Sequence, residues 1–306
     1  MKRTDFSVDW LFAACAPDTE LLPWNAQFTP VDLPHDWQIR HADDLYRDGT
    51  LFYRKYFFVT DVPGTRRMLW FGGTYMDTTV FVNGTEVGQW KYGYTSFWFD
   101  ITDALHEGQN EVLVRCNLRH PNSRWYSGAG LYRNVELWEA PDLHLMPDGL
   151  YVAAKEGDNG AWTVAVTAEA GSVTAASTGR TLTLHLTDDN GSLLGTAAIP
   201  ADAWAALPSP DGWRTGKETA IYKASHTFTL QAPALWDLDA PSFYHITAEL
   251  TGADGVTDTL TTRFGCRTIE ATPDCGLLVN HKRVLIKGVC IHHDFGCLGS
   301  AFEYSA

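Results

Sequence analysis

Residues 161–170 read AWTVAVTAEA. Trp162, Val164, Val166 and Ala168 fall on one side of an extended chain. Thr163, Ala165, Thr167 and Glu169 fall on the other. That period of two marks a half-buried strand of an antiparallel sheet. The pattern returns downstream. In TLTLHLTDDNGS (181–192), Leu182, Leu184 and Leu186 alternate with Thr183, His185 and Thr187 before a DDNG turn. In FYHITAEL (243–250), Tyr244, Ile246, Ala248 and Leu250 alternate with polar or small neighbours. Three such strands and their turn residues predict a β-sandwich around them.

Upstream the period is also two. VFVNGTEVG (80–88) reads as a hairpin, with Asn83-Gly84 the dipeptide that a type I′ turn prefers. No long helical pattern occurs before residue 265. ADAWAAL (201–207) reads as one or two helical turns, and TDALHEGQN (102–110) as a short one. Pro141 breaks the strand-like run NVELWEAPDLHL (134–145), which divides the β-rich region into two blocks. The second block has about the ~100-residue size of an immunoglobulin-like sandwich. Residues 267–306 differ: a short hairpin, GLLVNHKRVLIKG, turns at Asn280-His281-Lys282, and a loop with His292, His293 and Asp294 follows. Val284, Leu285 and Ile286 read there as a buried strand.

Composition narrows the function. The 306 residues carry a net charge of −14, without a basic cluster, so neither nucleic acid nor an anionic membrane suits this chain. No apolar run approaches the ~20 residues that span a bilayer. The start, MKRTDFSVDW, passes from charges to polar residues without a signal-peptide core. The six cysteines form no C-x-x-C pair, so reduced thiols and a cytoplasmic location are the expectation. Cys290, His292, His293, Asp294 and Cys297 match no zinc-ligand spacing, and no metal site is expected among them.

Six stretches, in order along the chain, resemble glycoside hydrolase family 2, the β-galactosidase and β-glucuronidase group. They are VDLPHDW (31–37), FYRKYF (52–57), the run WFGGTYMDTTVFVNGTEVGQWKYGYTSFWFDIT (70–102), SRWYSGAGLYRNVEL (123–137), ALWDLDAPSFY (234–244), and FGCRTIE with VLIKGVCIHHDFG (264–270, 284–296). SRWYSGAGLYR is the most specific of them and leans toward the β-galactosidases, although the missing barrel loops leave glucuronidase open.

The resemblance implies a mostly β chain. Residues 1–142 would form a jelly-roll, galactose-binding-like sandwich, and 143–266 an immunoglobulin-like sandwich. Residues 267–306 would form the first strand region of an incomplete (β/α)8 barrel. It implies a retaining β-glycosidase using two carboxylates about 5–5.5 Å apart. The family's catalytic glutamates match no position here, and a barrel needs ~250 residues where 40 remain. The chain is therefore expected to be the N-terminal part of such an enzyme and inactive alone. Its exposed tail is expected to lack order, to lie on the second domain, or to pair with another copy.

His292 matches a family histidine that hydrogen-bonds the sugar. The resemblance also places Arg124, Trp125 and Tyr126 at the pocket wall, where rings stack on sugar faces. Asp294 is a further candidate beside His292. Where some relatives carry an acidic residue just before the tryptophan, residues 121–124 here carry none. Gly128 and Gly130 suit a tight turn or a close backbone approach. His35 and Asp36 are read as structural, because no nucleophile motif accompanies them. The implied partner is a small β-galactoside, with a homo-oligomer left open. Any magnesium or sodium would be held by barrel residues that this chain lacks, and no cofactor is assigned to it. The alternative is a non-catalytic carbohydrate-binding or scaffolding protein.

Overall fold

A computed structural model describes the chain apart from residues 42, 61–63, 174–178, 208–217, 219, 253–254, 293 and 304. Among the described residues the regular elements are β-strands and short 3-10 turns, with no α-helix. Two compact units emerge. Residues 2–139 and 290–306 form one, and the other is built within residues 140–289.

The first unit is a sandwich of two antiparallel sheets. One has six strands in the order Thr29–Val31, Trp10–Cys15, Gly49–Val59, Gly108–Leu118, Thr78–Val82 and Thr85–Trp90. The other has four, in the order Lys2–Asp5, Val135–Pro141, Thr65–Phe71 and Phe97–Asp100. Alternation decides which side chains enter the core. In Gly108–Leu118, Val112, Val114, Cys116 and Leu118 are buried and their neighbours are less so. They pack with Trp10, Leu51, Tyr53, Leu69, Phe71 and Phe99. Fully burying an apolar side chain of this size contributes about 1.5–3 kcal/mol. The hairpin expected at Asn83-Gly84 forms, and both residues take positive φ, 50° and 79°.

The second unit repeats the plan with two four-stranded sheets. The strand that begins at residue 161, Ala161–Ser172, pairs with Ala220–Gln231, setting Val164 opposite Phe228. Thr181–Asp188 pairs with Tyr244–Gly252, setting Leu184 opposite Ala248. Trp162, Val164, Val166 and Ala168 face Leu182, Leu184, Leu186, Ile246 and Leu250 in one core. The helical turns expected over 201–207 form only in part. Ala201–Ala203 is a single 3-10 turn, and Ala205–Leu207 is an edge strand paired with Ile221–Lys223. Local helix formers yield there to an available strand edge.

The chain from 267 onward is not one body. Ile269–Thr272, Gly276–Val279 and Lys282–Arg283 make a small three-stranded sheet in the second unit, turning at Asn280-His281. Asn280 Nδ2 donates to the Trp236 carbonyl at 3.0 Å. Residues 290–306 belong to the first unit. The barrel strand expected at Val284–Ile286 does not form, since residues 284–292 carry no strand or helix. A parallel barrel strand takes its hydrogen bonds from neighbours on both sides, and among the described residues none is offered. Leu285, Ile286, Val289 and Ile291 are consequently exposed, Ile291 by 85%. Replacing Ile291 by Ser is expected to leave thermal stability within about 0.5 kcal/mol. It is expected to reduce light scattering by concentrated solutions of this chain, because an exposed apolar run favours association.

Candidate functional site

The candidate site lies in the first unit, where three loops meet. The first is the VDLPHDW loop, and the second carries SRWYSGAGLYR. Backbone bonds join them: His35 N–H donates to the Leu131 carbonyl at 2.8 Å and Trp37 N–H to that of Ala129 at 3.0 Å. Gly130 exchanges two hydrogen bonds with Tyr75, at 2.7 and 2.9 Å. The third loop is 290–306. Its Gly296–Leu298 turn is closed by Phe295 N–H donating to the Gly299 carbonyl at 2.7 Å.

Asp36 is the point where all three converge. Its carboxylate is buried. Oδ1 accepts from the Gln38 and Ala129 backbone N–H groups at 2.9 and 3.0 Å. Oδ2 accepts from the Ser300 N–H at 2.8 Å, from the Ser300 hydroxyl at 2.9 Å and from the Tyr126 hydroxyl. Five donors use a carboxylate's whole capacity of about four lone pairs. Asp36 is thus not available as a general base or nucleophile. Burial, the bond to Asp36 and the charges of Asp36 and Asp294 together hold the Tyr126 phenol well above its usual range.

A glycine on each side, Gly128 of the SGAG segment and Gly299 of the third loop, makes the convergence sterically feasible. A Cβ at Gly128 would stand 1.8 Å from Ser300 Oγ, and one at Gly299 would stand 2.4 Å from both Asp36 Oδ2 and Tyr126 Oη. Both glycines have positive φ, 73° and 59°.

Beside this knot the Trp125 indole meets the His292 imidazole edge to face, with ring centres 4.8 Å apart and planes at 73°. Trp125 keeps 47% of its surface exposed, so part of the indole is free to meet a ligand. Arg124 and His292 are exposed. Asp294 is exposed as well and accepts from the Gly296 N–H at 3.1 Å. The structure therefore gathers the five candidate residues around one loop cluster, with Trp125 in direct contact with His292. His293 lies outside the described residues. Such a cluster can stack on a sugar ring and bond its hydroxyls. Its carboxylates, buried Asp36 and exposed Asp294, are not an acid–nucleophile pair. Among the described residues no three His, Cys, Asp or Glu side chains gather as metal ligands.

Sequence reasoning named Asp36 as structural but not as the center of this knot. It missed Ser300 and Gly299 altogether. The signal for Asp36 was the His-Asp step in VDLPHDW; Ser300 has no local signal. His35 beside it is buried, with Nδ1 bonded to the Tyr53 hydroxyl at 2.8 Å. Burial, helped by the Arg40 charge and opposed by Asp36, lowers its pKa to about 4.

Comparison with known proteins bears on this arrangement. Residues 23–141 match the profile of glycosyl hydrolases family 2, sugar binding domain, and residues 148–267 match that of glycosyl hydrolases family 2. The chain belongs to glycosyl hydrolase family 2. A family 2 β-galactosidase from Bacteroides ovatus is 32% identical over 100% of this chain, which covers 36% of that relative. A putative β-glucuronidase from Formosa agariphila is 28% identical over 98% of this chain and is covered to 28%. The crystal structure of a family 2 member from Bacteroides cellulosilyticus superposes with a TM-score of 0.83 at 28% identity, covering 99% of this chain and 40% of that one. This family 2 chain thus spans about a third of the length of such relatives and matches their N-terminal part. Asp36, Trp125 and Tyr126 fall within the sugar-binding-domain match, whereas His292, Asp294 and Ser300 lie beyond both matched segments.

Proposed function

We propose that this chain is the N-terminal part of a retaining β-glycosidase that removes non-reducing β-linked galactose from small glycosides. The acid/base and nucleophile glutamates come from residues outside this chain. Arg124, Trp125, Tyr126, His292 and Asp294 form one wall of the sugar pocket: Trp125 stacks on the ring, and His292 and Asp294 meet hydroxyls. The contact between Trp125 and His292 carries the reading, because it joins the sugar-binding domain to the segment that resembles the start of the barrel. RWYSGAGLYR and the β-galactosidase relative at 32% identity favour galactose.

The test is to express the full-length gene product and compare aryl β-galactoside with aryl β-glucuronide. The galactoside is expected to give the higher kcat/KM. A preference for the glucuronide would overturn the substrate assignment. The 306-residue chain alone is expected to show no turnover of either. If the full-length product cleaves neither glycoside while calorimetry finds this chain binding lactose at millimolar affinity or tighter, dependent on Trp125, the carbohydrate-binding reading is favoured over the catalytic one.

A further inference from the structure

We infer that Asp36 is a positioning residue, a buried latch by which the sugar-binding domain holds segment 290–306 and so sets His292 against Trp125. Both partners of that ring contact are tied to the same carboxylate. Trp125 immediately precedes Tyr126, whose hydroxyl donates to Asp36. His292 is followed by a chain of local bonds that ends at the latch. Asp294 N–H donates to the His292 carbonyl at 2.8 Å, Phe295 N–H to that of Gly299 at 2.7 Å, and Ala301 N–H to that of Leu298 at 3.1 Å. Phe295 and Phe302 add a ring contact at 4.4 Å. Ser300 then gives both its N–H and its hydroxyl to Asp36. Hydrogen bonds to a buried carboxylate are charge-assisted and so among the stronger ones available. Gly128 and Gly299 leave no space for a side chain on either side of it. Among the described residues, the polar contacts from segment 290–306 to the loops of this unit run from Ser300 to Asp36 and Tyr126, so the latch decides where His292 sits.

The consequence for catalysis rests on the glycosidase reading above; the latch itself does not. Hydrogen exchange in the 306-residue chain tests the latch directly. In the unaltered chain the Ser300 amide is expected to be protected. Asp36→Ala and Gly299→Ala are each expected to speed its exchange roughly tenfold or more, with the core amides of Gly49–Val59 unchanged. Gly299→Ala acts from the segment's side and leaves the sandwich core intact, so it decides the matter if Asp36→Ala fails to fold. An unprotected Ser300 amide, or protection that survives Gly299→Ala, overturns the latch.

In the full-length enzyme Gly299→Ala is expected to raise KM for aryl β-galactoside roughly ten- to hundredfold, with kcat much less affected. Ser300→Ala, which keeps the backbone donor, is expected to fall between. A loss confined to kcat and tracking the folded fraction overturns the positioning role. If the unaltered full-length enzyme cleaves no β-glycoside, the proposed function fails while the exchange result still judges the latch.

Discussion

Gly130→Ala is expected to destabilise the first unit by about 3–5 kcal/mol, lowering its melting temperature by roughly 10 °C. Two costs add. At φ 105° a residue with a Cβ is strained, by about 1–3 kcal/mol. The new methyl would also stand 2.0 Å from Tyr53 Oη and 2.9 Å from its Cζ. Tyr53 cannot easily yield. It is fully buried, its hydroxyl is bonded to His35, and its ring packs on Phe12 with centers 5.0 Å apart. Gly130 cannot retreat either, because both its backbone groups bond Tyr75. Gly84→Ala is the control: its φ is 79°, but nothing lies within 4 Å of the added carbon, so about 1 kcal/mol is expected. Thermal melting of both variants, and of Gly130→Ala combined with Tyr53→Phe, separates strain from clash. The double variant is expected to recover part of the loss. A loss at Gly130 no greater than at Gly84 would show that the Tyr53 contact carries no energy.

Acid is expected to weaken the same region through His35. Its pKa is lowered from 6.5 to about 4, chiefly by burial. The unfolded chain therefore binds the proton more readily across that window. Stability from keeping His35 neutral is fully present above pH 6.5 and is lost as pH falls toward 4, about 2 kcal/mol between pH 7 and 4.5. Other carboxylates titrate nearby, so the measurement is a difference. Urea unfolding of the natural chain and of His35→Gln at pH 7 and 4.5 is expected to show the larger acid loss in the natural chain. Equal losses would mean that His35 is not buried neutral. Because His35 precedes Asp36, acid that opens this loop also loosens the latch, and the protection of the Ser300 amide, relative to its intrinsic exchange rate at each pH, is expected to fall along with it.

Patterns set within a single strand or turn can be read from order alone. Alternation at Trp162, Val164, Val166 and Ala168 is set by spacing along a single strand, and the structure buries those four side chains. Asn83-Gly84 likewise acts through its own backbone angles. Val284–Ile286 shows the limit of such reading. The residues suit a strand, but a strand exists only when neighbours supply its hydrogen bonds. Residues 201–207 read as helical turns, and for 205–207 an adjoining edge decided otherwise.

The candidate wall was partly legible. Trp125, Tyr126 and His292 stood out by resemblance, and Gly128 and Gly130 by their need for close approach. Spacing within single strands and turns determined the β class, the sandwich cores and the hairpins, since those depend on residues a few positions apart. Only the tertiary structure decided that Asp36 gathers Tyr126, 90 residues away, and Ser300, 264 residues away. Such a contact depends on the chain leaving the first unit at residue 139 and returning to it at 290. No local pattern encodes that return, because hydrogen bonding to a buried carboxylate is a property of the assembled loops.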